Sequence, residues 1–203
     1  MKRKLTMMMV MATFLMIGVS PTNARAQIGT EVDYNNVSYI GGGLMLGYYS
    51  YGYAGARSLS FPPLTAFYEK GIHERITVGP FLSYAQWSYD YAGFGSNWGY
   101  TWSFLQVGGR GSYHLTSLLN EWFDSEIDES KWDIYATLLV GFEFRSFSYD
   151  NDFDDGLDYD NDWRLFVGPL AGTRYFLNER FALFVEAGRG SLGALTFGVT
   201  YDM

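Results

Sequence analysis

Leu195-Thr196-Phe197-Gly198-Val199-Thr200-Tyr201-Asp202-Met203 closes the chain, and its alternation decides the fold. Leu195, Phe197, Val199, Tyr201 and Met203 share one parity, while Thr196, Gly198, Thr200 and Asp202 share the other. Successive side chains of a β-strand point to opposite faces, so this stretch reads as a strand with one apolar face and one small, polar face.

Working back along the chain, the same period of two recurs. Phe181, Leu183, Val185 and Ala187 oppose Ala182, Phe184, Glu186 and Gly188. Leu165, Val167, Pro169, Ala171, Thr173 and Tyr175 oppose Arg164, Phe166, Gly168, Leu170, Gly172 and Arg174. The longest run sets Ile134, Ala136, Leu138, Val140, Phe142 and Phe144 against Tyr135, Thr137, Leu139, Gly141, Glu143 and Arg145. Four earlier segments follow the rule less regularly, beginning near Ile40, Leu64, Ile76 and Leu105. In the fourth, Trp102 and Phe104 fall on the polar parity, and a bulge there would reconcile them. Eight segments in all predict an all-β chain: an eight-stranded antiparallel up-and-down barrel.

A soluble barrel also alternates, so the content of the two faces must settle the solvent. The polar face is rich in Gly with interspersed Glu and Arg, which suits the narrow interior of a small barrel better than a hydrated surface. Lysine, expected on a hydrated face, occurs beyond residue 27 only as Lys70 and Lys131. Tyr48, Tyr68, Tyr84, Tyr113, Trp132, Tyr175 and Tyr201 lie near strand ends on the apolar parity, where membrane barrels carry interfacial girdles. Short turns at Gly71 to Arg75 and Leu177 to Arg180 would face the periplasm with both termini. Between them Thr116 to Lys131 holds Leu118, Leu119, Trp122, Phe123 and Ile127 at helical spacing, as in a short interfacial helix. Outward loops would span Tyr49 to Ser58, Tyr91 to Gly99, Tyr149 to Asp162 and Gly190 to Gly193.

Ahead of the strands, Lys2, Arg3 and Lys4 precede an apolar run from Leu5 to Val19, and Ala24-Arg25-Ala26 offers a small-x-small cleavage pattern. Residues 1–26 therefore read as a signal peptide, 27–37 as a periplasmic segment, and 38–203 as the barrel. The run is too short for a spanning helix, which needs about 20 residues. Without the leader, 10 basic residues face 22 acidic ones, which argues against nucleic acid as a partner. No cysteine occurs, so an exported fold must be held by backbone pairing and packing.

Thr196-Phe197-Gly198-Val199-Thr200-Tyr201-Asp202-Met203 resembles the C-terminal signal read by the barrel assembly machinery, with Thr196, Gly198, Tyr201 and Met203 at its marked positions and Met203 where Phe is usual. With Ala66-Phe67-Tyr68-Glu69-Lys70-Gly71, Ile76-Thr77-Val78-Gly79-Pro80, Gly172-Thr173-Arg174-Tyr175-Phe176 and Phe184-Val185-Glu186-Ala187-Gly188, the chain resembles the small outer-membrane β-barrel proteins common in Bacteroidota. These are similar in plan to the OmpX family and the OmpA barrel domain. The resemblance covers most of residues 38 to 203. It implies placement in the cell outer membrane, contact with outer-membrane lipids and lipopolysaccharide, and insertion by the barrel assembly machinery. It implies no particular activity, because function resides in sites rather than folds.

Candidate sites follow from the parities. Glu69, Arg110, Glu143, Arg145, Arg164, Arg174 and Glu186 share the inward face and predict a network of opposite charges that plugs the lumen. Rearranged pairs would instead make a narrow, porin-like ion or small-solute channel. His73 reads as a turn residue and His114, beside Ser112, as lumen polarity. No Ser, His and acid group forms near the outer leaflet, as a lipid A-modifying enzyme would need, so catalytic residues and cofactors are assigned as none. Asp150, Asp152, Asp154 and Asp158, in a loop that also carries Asp155, Asp160 and Asp162, could supply oxygen ligands to Ca²⁺. However, Asp155 stands where a calcium loop needs Gly. A solvated acidic loop explains the same residues. Tyr48 to Tyr53 and Trp87 to Tyr91 have the composition of adaptable recognition surfaces for an extracellular ligand.

Overall fold

The computed structural model describes residues 32–46, 58–93, 96–151, 161–189 and 191–203. Eight strands follow in order: β1 Ser38–Leu46, β2 Ser58–His73, β3 Ile76–Gly93, β4 Ser96–His114, β5 Trp132–Asn151, β6 Asn161–Phe176, β7 Phe181–Gly188 and β8 Leu195–Asp202. Each pairs antiparallel with its sequence neighbour, and β8 returns to β1 from Tyr39↔Asp202 to Leu46↔Leu195. The sheet is a closed barrel with an up-and-down path. Closure pairs the sheet's two edge strands with each other, which a spanning structure needs where no water can satisfy free backbone groups.

Alternation sets the two faces. Leu138, Val140, Phe142 and Phe144 on β5, Leu183 and Val185 on β7, and Phe197 and Val199 on β8 point outward and are exposed. The intervening residues point inward and are buried: Tyr135, Leu139 and Glu143 on β5, Ala182, Phe184 and Glu186 on β7, Thr196 and Thr200 on β8. An exposed apolar band running around a closed barrel is far larger than a soluble surface carries, and it is the outer surface of a bilayer-spanning barrel. Trp132 packs on Tyr175 with ring centroids 4.7 Å apart, and Phe181 on Tyr201 at 4.9 Å, forming aromatic pairs at one end of that band.

Two sequence expectations are corrected here. β4 has no bulge at Trp102 or Phe104, because its rungs run unbroken from Trp98↔Asn151 to His114↔Tyr135 on one side and from Ser96↔Gly93 to Tyr113↔Ile76 on the other. Phe104 keeps the inward parity and is buried above the charges, where apolar packing suits it. The register shifts lie in β2, near Phe61 and near Ile72. The second correction concerns Tyr91 to Gly99, which is no long loop: β3 and β4 pair rung by rung up to Gly93↔Ser96. Tyr, Trp and Ser suit strands, and cross-strand partners extend what polarity alone marks as loop. Tyr48, most of the Tyr49 to Ser58 connection, and Asp152, Asp154, Asp155, Asp158 and Asp160 lie outside the described residues.

Below the barrel the chain makes a 3-10 turn, Tyr34–Asn36, whose first residue is capped by Asp33 accepting from Asn35 N at 2.9 Å. This segment seals the end. Val32, Tyr34 and Val37 pack against Tyr39, Phe176 and Ala182, and Tyr34 N donates to Glu74 O at 3.2 Å. Gly71 is required by this approach, since a Cβ there would lie 1.6 Å from Tyr34 O. The β4–β5 connection carries helix α1, Thr116–Phe123, closed by Asp124 in the left-handed conformation (φ 50°). Its Trp122 and Phe123 are the most exposed large apolar side chains among the described residues, as suits an interfacial helix.

Candidate functional site

The inward residues fill the barrel in alternating apolar and ionic layers. At the outer end Met45, Ala85, Phe104 and Leu192 pack together, with Leu192 supplied by the β7–β8 turn. Below them Glu143 accepts from Gln106 Nε2 at 2.7 Å, Arg145 Nε at 2.8 Å and Arg164 at 3.0 Å. A middle layer of Phe67, Phe81, Leu139, Phe166, Leu170 and Phe184 follows. Its rings meet edge to face, Phe67 on Phe184 at 5.5 Å and Phe81 on Phe166 at 6.0 Å. The Arg110 guanidinium lies 3.8 Å over the Phe67 ring and joins this layer to the one beneath.

The lower ionic layer is the most elaborate. Glu69 forms an ion pair with Arg110, whose Nε lies 3.1 Å away, and accepts from Arg174 at 2.5 Å and from the hydroxyls of Thr77 and Ser112. Glu186 accepts from Arg110 at 2.7 Å and from the Tyr135 hydroxyl at 2.9 Å. Asp133 accepts from Arg174 Nη1 at 3.0 Å, from His114 Nδ1 at 2.7 Å and from the Tyr34 hydroxyl at 3.0 Å. Arg174, fully buried, also lies 4.4 Å over the Tyr39 ring and 4.3 Å over the Tyr135 ring. Gly172 makes room for this arrangement, because a Cβ there would fall 2.7 Å from the Tyr135 ring and 2.8 Å from Glu186.

His114 bridges two of these groups: its Nδ1 lies 2.7 Å from an Asp133 oxygen that also accepts from Tyr34, and its Nε2 lies 3.1 Å from the Thr77 hydroxyl. Three carboxylates, Glu69, Asp133 and Glu186, thus meet two guanidinium groups, Arg110 and Arg174, together with the His114 ring. Buried charges persist when paired and hydrogen-bonded in this way.

Thr77, His114 and Asp133 line up as hydroxyl, imidazole and carboxylate, the order of a hydrolytic triad. Chemistry there has no access. All three are buried, Tyr34 stacks on the His114 ring at 3.6 Å, and the Thr77 hydroxyl is bonded to Glu69. Ser112, the sequence neighbour of His114 on that face, bonds to Glu69 and to Thr137 instead.

The seven charged residues singled out from the sequence thus fall in two groups. Glu69, Arg110, Arg174 and Glu186 meet in the lower layer, while Glu143, Arg145 and Arg164 meet in the upper one. Arg164 is half exposed at the outer end. Asp133, His114, Thr77 and Tyr135 join the lower group and Gln106 the upper one, none of them assigned to a charge network from sequence. Asp133 was legible, since extending the β5 alternation one rung below Tyr135 places it inward. His73 is exposed as the last residue of β2 rather than in a turn, because pairing with Ile76 extends the strand and leaves only Glu74 and Arg75 to turn. Among the described residues no group of three or more His, Asp or Glu is placed to hold a metal, and the acidic loop falls largely outside them.

No family model matches the chain, and no curated protein matches it. Among solved structures it is similar to the N-terminal β-barrel domain of Pseudomonas aeruginosa OprF, at 11% identity over 84% of this chain and 99% of that one, with a TM-score of 0.44. It is also similar to Ail, the attachment invasion locus protein of Yersinia pestis, at 12% identity over 82% and 93%, TM-score 0.40. The outer membrane protein OprG of Pseudomonas aeruginosa is a third, at 11% identity over 84% and 97%, TM-score 0.44. At these values no activity, ligand or partner passes from them to this chain.

Proposed function

We propose that the chain is exported through a cleaved signal peptide to the outer membrane of a Gram-negative bacterium. There it serves as a non-enzymatic barrel of structural or surface-interaction type, with a charge-plugged lumen. The observation that carries this reading is the filling of the lumen. Phe67, Glu69, Arg110, Leu139, Arg174 and Phe184, from five strands, are all at most 4% exposed. A conducting pore needs a continuous polar path, and here the middle apolar layer separates the two ionic layers while a second apolar cluster covers the upper one at the outer end. An active site needs an accessible nucleophile, and the Thr77 hydroxyl has no route to substrate.

Planar-bilayer recording tests the reading against a narrow ion or small-solute channel. Purified, refolded protein should give no reproducible unitary conductance; discrete, repeatable steps would overturn the plugged lumen. Lipid A mass spectra from cells with and without the gene should be identical, and a difference in acylation would overturn the non-enzymatic assignment. Insertion by the barrel assembly machinery, engaging Thr196, Gly198, Tyr201 and Met203, belongs to the same proposal.

A further inference from the structure

The outward apolar wall is uneven in height. A strand tilted near 40° climbs roughly 2.5 Å of barrel axis per residue. On β5 the outward side chains run from Trp132 to Phe144, and on β6 from Tyr175 to Trp163, apolar but for Thr173. Each run covers twelve residues, roughly 30 Å of axis. On β7 the apolar run is only Phe181 to Ala187 and on β8 only Tyr201 to Leu195, six residues and roughly 15 Å. The lower ends are level to within about 5 Å, since Tyr175 pairs with Leu183, two residues above Phe181, and Phe181 pairs with Tyr201.

The shortfall therefore lies at the outer end. There the β6–β7 ladder stops at Leu170↔Gly188, with one last bond from Arg189 N to Pro169 O at 3.0 Å. The β7–β8 turn then folds inward and buries Leu192 against Met45 and Phe104 instead of raising the wall. Arg189, which shares the outward parity of Ala187, is exposed. It stands roughly 20 Å above Phe181, whereas Trp163 stands roughly 30 Å above Tyr175. A spanning strand needs about 9–11 residues and an apolar band about 25 Å tall. β5 and β6 meet this, and β7 and β8, with 8 residues each, do not. A flat bilayer fitted to β5 and β6 would sink the Arg189 guanidinium in hydrocarbon, a costly position that membranes relieve by thinning locally.

We propose that the β7–β8 wall is a bilayer-thinning face. The outer leaflet dips toward it, and lipid phosphate groups settle around Arg189 roughly 10 Å below the level of Trp163. The face rests on the membrane placement proposed above. A short wall can also be relieved by covering it with a second copy of the chain. A two-fold contact through β7 and β8 brings both Arg189 side chains to one level of one seam, and this like-charge approach favours lipid as the occupant.

The chain has no cysteine, so single cysteines take a nitroxide label without competition. Leu138 and Ala187 are outward residues, each six positions above the lower aromatic rim at Trp132 and Phe181. Leu138→Cys and Ala187→Cys are refolded in dioleoylphosphatidylcholine vesicles, and EPR reads label depth from collisions with oxygen and with a water-soluble nickel complex. The Ala187 label should lie roughly 10 Å nearer the phosphates than the Leu138 label. Arg189→Leu lengthens the apolar run by one outward residue, so it should deepen the Ala187 label by roughly 5 Å and leave the Leu138 label in place. Equal depths for the two labels would overturn the thinned face, and this comparison stands by itself should Arg189→Leu fail to fold. An Ala187 depth that a folded Arg189→Leu variant does not change would also overturn it. Spin–spin broadening at Ala187 that grows with the protein-to-lipid ratio would assign the wall to a second copy and likewise overturn the proposal. Nickel reaching the Leu138 label as freely as in water would overturn the membrane placement instead, so the two failures are distinguishable.

Discussion

Replacing Arg174 by Met tests the lower ionic layer most severely. Met keeps much of the volume and still contacts the Tyr39 and Tyr135 rings, but removes the guanidinium that bridges Glu69 at 2.5 Å and Asp133 at 3.0 Å. Both carboxylates are fully buried, so the variant strands negative charge where water cannot reach it. Breaking a buried pair by removing one partner costs about 3–5 kcal/mol, and loss of two cation–π contacts adds to that side of the range. Urea unfolding of the refolded barrel in lipid vesicles, followed by tryptophan fluorescence, should show a loss of about 3–5 kcal/mol. The cause is checked by a cycle with Asp133→Asn: with one stranded carboxylate already neutral, the Arg174→Met step should cost about 1–3 kcal/mol less. A loss under about 1 kcal/mol, or strict additivity of the two substitutions, would refute the claim that paired charges hold this layer together.

Leu138→Arg places a cation on the outward face of β5 and should cost about 2–4 kcal/mol in the same assay, against a few tenths if that face met water. Tyr34→Phe keeps the stack on His114 but removes the hydroxyl bond to Asp133. It should cost about 1–3 kcal/mol, and no loss would show that the N-terminal segment is not tied to the network. Asp128, in the connection before β5 and outside the spanning strands, is held below the ordinary aspartate range chiefly by the hydrogen bond from Ser130 Oγ. Because its folded value is lowered, the stabilisation it gives is present at neutral pH and lost as pH falls through that value, below about 3.9. Ser130→Ala should raise the Asp128 midpoint in a carboxyl NMR titration, and an unchanged midpoint would contradict this.

The number of strands and their inward faces were legible because a period of two survives in one dimension: Glu186 between Phe184 and Gly188 can point only one way. Strand lengths were not. The run from Gln86 to Thr101 is rich in Tyr, Ser, Gly and Trp, and only its cross-strand partners, such as Trp87↔Trp102 and Ser88↔Thr101, make it sheet rather than loop. Phe104 is out of place only on a uniformly polar lumen face, whereas this lumen alternates ionic and apolar layers along its axis. The division of the charges into two clusters depends on register, which sets Thr77 opposite Ser112 across β3 and β4, within reach of the Glu69 side chain from β2, and has no local signature. Nothing in Val32 to Val37 marks it as a seal, because its partners, Asp133 and His114, lie about 80 to 100 residues away in sequence.

Heat modifiability after fractionation tests the central claim most directly, since a closed spanning barrel held by eight paired ladders resists SDS until boiled. The protein should be found in the outer-membrane fraction and should migrate differently before and after boiling. A protein soluble in the periplasm that migrates identically under both conditions would contradict the transmembrane barrel and everything built on it.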